Sequence, residues 1–179
     1  MRRAYARCCY DGLREKCIQL YSLIKAGCPP ETDEWDPLTE GYAGFYRYNI
    51  STLLLEIATR SRVLDDVMRG EEADCVLGKH QFEEAPGTFE TGGQGDLSLR
   101  EIANKVLHAS TVELVCSGIQ DEWEEDEALC RAHTGAVRLH GKLGDKNWAV
   151  ILRPIHYCRE ILGWLDDVED NGRLHKIWQ

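Results

Sequence analysis

At 179 residues, 43% hydrophobic and 29% charged, the chain has the size and composition of one globular domain with a core of its own. No apolar run reaches the ~18 residues of a membrane-crossing helix, and no secretory apolar stretch follows the basic start Met1-Arg2-Arg3, so a soluble, cytoplasmic protein is expected. A net charge of −10, concentrated in residues 70–127 with fifteen acidic and three basic residues, weighs against strong nonspecific nucleic-acid binding.

Residues 12–26 carry helical periodicity, with Leu13, Cys17, Leu20, Tyr21 and Ile24 on one face; Gly27 and Pro29-Pro30 stop it. A Pro/Asp/Glu-rich connection over 28–40 follows. The longest element runs from Gly41 to Met68. Its apolar stripe is Ile50, Leu53, Leu54, Ile57, Ala58, Ser61, Leu64, Val67 and Met68, and Gly70 ends it. Residues 71–96 are polar. Their Gly92-Gly93-Gln94-Gly95 cluster lacks the Lys-Ser/Thr and the preceding strand of a phosphate loop, so it is expected to be a flexible loop.

A short capped helix is expected over 98–109. Ser98 stands as N-cap, Glu101 as its capping-box partner, and Leu97 and Ile102 as a hydrophobic staple. The period then changes to two. Thr111–Ser117 reads as a strand, and 135–143 with 147–153 as a hairpin around Gly144-Asp145. Pro154 opens a last helix with Ile155, Cys158, Ile161, Leu162, Leu165 and Val168 inward. The fold class is therefore α+β, mainly α. A helical bundle with a long central helix precedes a small antiparallel sheet and a C-terminal helix. One domain is expected, with a mainly helical part over 1–110 and the hairpin and last helix over 111–179.

Eight cysteines invite a metal or disulfide reading, but no Cys-x-x-Cys pair or finger-like histidine spacing exists, so reduced, largely buried thiols and no metal or other cofactor are expected. The adjacent pair Cys8-Cys9 is left open to oxidation or binding.

Chemistry is expected first on the 98–109 helix. At about 100° per residue, Arg100, Asn104 and His108 follow one another along one ridge, opposite Leu99, Ile102, Ala103, Val106 and Leu107. An imidazole can take a proton from a ribose 2′-hydroxyl, a guanidinium can hold phosphate, and an amide can orient either. The plainer reading pairs Arg100 with a carboxylate and lets His108 interact with the helix C-terminus. On the long helix, Asn49 and Arg60 fall in or beside the apolar stripe, where an arginine needs an anion, a carbonyl or a rim. Arg138, His140 and Lys142 form a basic strip on one hairpin face, which can touch phosphate or be plain solvated surface.

The run Leu99-Arg100-Glu101-Ile102-Ala103-Asn104-Lys105-Val106-Leu107-His108-Ala109, preceded by the long helix, resembles the Arg…His helix of the HEPN superfamily over residues 41–110. The run and its following hairpin are also similar to short uncharacterised bacterial proteins. The superfamily resemblance implies a bacterial toxin- or defence-type protein, a homodimer, and metal-independent RNA cleavage with Arg100 and His108 catalytic and Asn104 between them. A different expectation comes from the acidic segments 71–96 and 120–127: a non-catalytic subunit, antitoxin- or immunity-like, that meets a basic protein surface. A third is a helical scaffold whose Arg–Asn–His ridge only ties helix to sheet.

Overall fold

The structure is a computed structural model that describes residues 2–27, 37–71, 76–82, 84–119 and 130–170. Two long helices open it, α1 (Arg2–Ala26) and α2 (Pro37–Glu71). A 3-10 turn at Leu77–Lys79 leads to strand β1 (Gly87–Thr91), helix α3 (Leu99–His108), strands β2 (Ala109–Ile119), β3 (Cys130–Leu143) and β4 (Lys146–Leu152), and helix α4 (Pro154–Asp170). The four strands form one antiparallel sheet in the order β1-β4-β3-β2. The class is α+β with helices dominant, as the sequence implies. None of the described helices is long and apolar enough to cross a membrane.

The helices form where apolar residues recur at helical period. Leu13, Cys17, Leu20 and Ile24 of α1 are buried against Ile50, Leu54, Ile57, Ala58 and Leu64 of α2 and against Tyr157, Cys158, Ile161 and Leu165 of α4. Tyr21, expected on the buried face, is instead largely exposed. Gly27 ends α1 with φ +80° while its N–H donates to Ile24 O at 3.1 Å, a left-handed stop that suits glycine. The inner sheet face adds Val137, Leu139, Val150 and Leu152 to the same core.

Two expectations are corrected. Residues 71–96 are not loop throughout: 87–91 form edge strand β1, paired with β4 from Gly87↔Leu152 to Thr91↔Ala149. The glycine cluster makes the turn that brings Phe89 N–H to Gly95 O and Leu97 N–H to Gly87 O. Gly92 and Gly95 take φ near +80° there, and a Cβ on Gly92 would lie 2.5 Å from Asn147 O. The β2–β3 pair is also longer than expected, because it pairs on to Ile119↔Cys130. The 28–36 connection and the acidic run 120–127 lie outside the described residues.

Candidate functional site

Helix α3 forms as its capping signals dictate. Glu101 N–H donates to Ser98 Oγ at 3.3 Å and Ser98 N–H donates to Glu101 Oε2 at 2.9 Å, closing the capping box. Leu97 and Ile102 are buried, as a staple requires. The apolar side of α3 (Leu99, Ile102, Ala103 and Val106) enters the core, which fixes Arg100, Asn104 and His108 along the remaining edge.

That edge runs past α2, and two of the three side chains are committed to it. Arg100 pairs through Nη1 with the fully buried carboxylate of Asp65 and through Nη2 with Asp66 Oδ1 at 3.1 Å. Asp65 also accepts from Leu77 N–H at 2.7 Å and from Arg69 Nε at 3.3 Å. Asn104 Oδ1 accepts from Arg62 Nη1, and Arg62 in turn lies 3.5 Å from Asp66. Burial, and then the nearby Arg62, pull the Arg100 guanidinium below its ordinary pKa. The two carboxylates balance its charge. One buried acid thus clasps α2, the 3-10 turn and α3 together. Asp65 lies within the same helical stripe as Ser61 and Met68, the sequence signal that would have revealed it.

His108 ends α3 on the surface, and its imidazole makes no hydrogen bond or ion pair with another described residue. The ridge therefore exists as expected, but its guanidinium and amide face α2 while its imidazole faces solvent.

Lys105 packs its Nζ 4.2 Å from the Trp148 ring centre and 5.0 Å from that of Phe89. Burial lowers its pKa, and Glu101 opposes that shift.

The other candidates lie apart. Asn49 Nδ2 donates to Phe45 O within its own helix at 2.7 Å. Arg60 donates to Cys8 O at 3.4 Å and approaches Glu56 at 3.7 Å, a rim position between α1 and α2. It also lies over Gly12, where a Cβ would meet Nη1 at 2.5 Å. A cleft of about 530 Å³ there is lined by Arg7, Cys8, Asp11, Gly12, Glu15 and Arg60, a set of mixed charge. Two members of the hairpin strip meet carboxylates of β1 and β2. Arg138 makes a two-pronged pair with Glu90 at 2.8 and 2.9 Å, and His140 Nε2 lies 3.2 Å from Glu113. Lys142 continues the strip as an exposed side chain.

Among the described cysteines, Cys9, Cys17 and Cys158 are buried and Cys8 and Cys116 exposed, all as free thiols. Burial raises the Cys9 thiol; contact with Cys17 and then burial raise that of Cys158. No group of three or more metal-ligating side chains occurs among the described residues.

A pair with no sequence signal holds the hairpin to α2. His133 Nε2 lies 2.8 Å from Ala136 O and its Nδ1 lies 2.8 Å from Tyr46 Oη. A carbonyl only accepts, so Nε2 carries the proton and Nδ1 accepts from the tyrosine hydroxyl. Burial holds this histidine below its ordinary pKa, against the Ala136 hydrogen bond.

Comparison with family models, curated proteins and solved structures finds no match.

Proposed function

We propose that this chain is an acidic interaction subunit, antitoxin- or immunity-like in its chemistry, that engages a basic protein surface in the cytoplasm. The β2–β3 arm carries the reading. Pairing between β3 and β4 reaches only to Val137, whereas β2 and β3 pair on to Ile119 and Cys130. The segment joining those two residues holds Asp121, Glu122, Glu124, Glu125, Asp126 and Glu127. Carboxylates gathered on the connection of a two-stranded ribbon create a local field that steers a basic partner and repels phosphate.

The test is recovery of partners from cells of the protein's own source, with wild type and the Glu122→Gln/Glu124→Gln/Glu125→Gln variant as baits. A specific partner held by wild type, released at high salt and missed by the variant supports the proposal. A partner set unchanged by neutralisation or by salt sinks it.

A second reading follows the HEPN-like resemblance: a homodimeric, metal-independent ribonuclease of a bacterial toxin- or defence-type system. The exposed imidazole of His108, on one ridge with Asn104 and Arg100, favours it. Phosphate must then displace Asp65 and Asp66 from Arg100. Cleavage of a mixed RNA by wild type, lost in His108→Ala and in Arg100→Ala, supports this reading. RNA left intact by wild type ends it.

A further inference from the structure

Helix α2 carries two seams. One is the buried core stripe. The other, on the opposite side, is Gly41, Phe45, Tyr48, Thr52, Leu55 and Thr59, spaced 4-3-4-3-4 as in a helix that packs against another helix. The C-terminal part of this side, at Arg62 and Asp66, is occupied by α3 through Asn104 and Arg100. The N-terminal part carries Phe45, Tyr48 and Leu55 at 57%, 69% and 48% exposure, with Tyr42 beside them at 37%.

We infer that residues 41–59 of α2 form a homodimer seam, with α2 packed antiparallel on α2 of a second copy. The twofold axis passes at the level of Ile50, so that Tyr48 faces Thr52, Phe45 faces Leu55 and Gly41 faces Thr59. This inference is independent of the acidic arm.

Three observations select a second copy as the occupant. The first is charge. Arg47 and Glu56 are the only Arg, Lys, Asp or Glu residues among 41–59, in a chain that is 29% charged with a net charge of −10. A nearly uncharged strip offers little to an ionic partner, but it lets two acidic copies approach without placing carboxylates in contact. The second is shape. The antiparallel register sets the large ring of Tyr48 against the smaller Thr52, and Gly41 has nothing within 4 Å of a Cβ position. A parallel register would oppose Phe45 to Phe45 and Tyr48 to Tyr48. A contact that is its own complement is what a twofold dimer needs.

The third is that Thr59 on the strip and Ser51 and Asn49 beside it bond within their own helix, while the Tyr48 and Thr52 hydroxyls oppose each other in the antiparallel register. Thr59 Oγ1 donates to Leu55 O at 2.8 Å, Ser51 Oγ to Arg47 O at 3.0 Å and Asn49 Nδ2 to Phe45 O. Covering them therefore strands few donors. The exposed parts of Tyr42, Phe45, Tyr48 and Leu55 sum to about 400 Å² per copy. Complete burial of these side chains in a pair supplies at most roughly 800 Å², and the rest of the strip must carry the contact past the ~1,000 Å² from which a specific interface begins.

The full-length chain, sedimented across the micromolar range, is expected at twice its monomer mass. Phe45→Glu/Tyr48→Glu is expected at monomer mass, still folded, with a cooperative unfolding transition that no longer depends on protein concentration, since both side chains face outward and only association is lost. On a Cys8→Ser/Cys116→Ser background, mixing Tyr48→Cys with Thr52→Cys is expected to give several-fold more oxidised covalent dimer than either variant alone. A monomeric wild type, or a dimer that survives the double glutamate, overturns the seam. Tyr48→Cys that cross-links as well alone as in the mixture overturns the antiparallel register.

Discussion

Asp65 is the residue on which the α2–α3 junction turns. Its carboxylate is fully buried and holds Arg100, Arg69 and Leu77 N–H together. Removing one member of such a pair leaves a desolvated charge behind, so Asp65→Ala should cost about 3–5 kcal/mol in urea unfolding. Asp65→Ala/Arg100→Met should cost less than the two single changes added together, because the double change strands no charge. Asp66 is more than half exposed, so Asp66→Ala should stay within about 1 kcal/mol. Equal losses from Asp65→Ala and Asp66→Ala would show that burial does not set the cost. The periodicity that put Arg100, Asn104 and His108 on one ridge was legible in the sequence. Their partners were not, because spacing along α3 says nothing about residues on a helix some 35 positions earlier.

His133 adds a pH dependence whose sign follows from its burial. A folded-state pKa below the ordinary 6.5 means that the unfolded chain binds the proton more readily. The stability this neutral ring preserves is therefore complete above the unfolded value and drains as pH falls from there toward the folded value. Wild type should lose urea resistance below about pH 6.5 more steeply than His133→Asn. Parallel pH profiles for the two would remove His133 from the acid response.

At the scale of elements, local signals decided α3, the Gly144-Asp145 turn and the start of α4, since each carries its own residue chemistry. Strand β1 was hidden because its partner is β4, some 60 residues later, and glycine and threonine mask any alternation in Gly87–Thr91. The β3–β4 hairpin beside it depends on a glycine contact. Gly141 of β3 lies beneath the Trp148 ring of β4, where a Cβ would overlap the indole. Trp148 also receives the Lys105 ammonium from α3, so its ring ties helix to sheet. Gly141→Ala must tilt that ring away. It should cost about 1–3 kcal/mol of stability and shift the tryptophan emission to longer wavelength. Full stability with an unmoved spectrum would mean that the ring does not rest on Gly141.

Across the whole molecule, the sheet divides into two parts with different support. Val137–Gly141 of β3 pair on both sides, with β2 and β4, and Val137 and Leu139 enter the common core. From Ala136 back toward Cys130, β3 pairs with β2 alone, and the ring of His133 against Tyr46 helps tie this arm to α2. Two-stranded ribbons with little apolar cover open at a lower free energy than a core strand. Amides of Leu139 and Val150 should therefore exchange only through global unfolding, while that of Ser117 exchanges through a separate, cheaper opening. Tyr46→Phe deletes the hydroxyl that His133 Nδ1 accepts from and leaves the aromatic contact. It should raise exchange at Ser117 several-fold with little change at Leu139 or Val150. A uniform rise across all three positions would mean that arm and core open as one unit, and that Tyr46 stabilises the domain rather than the docking of its hairpin.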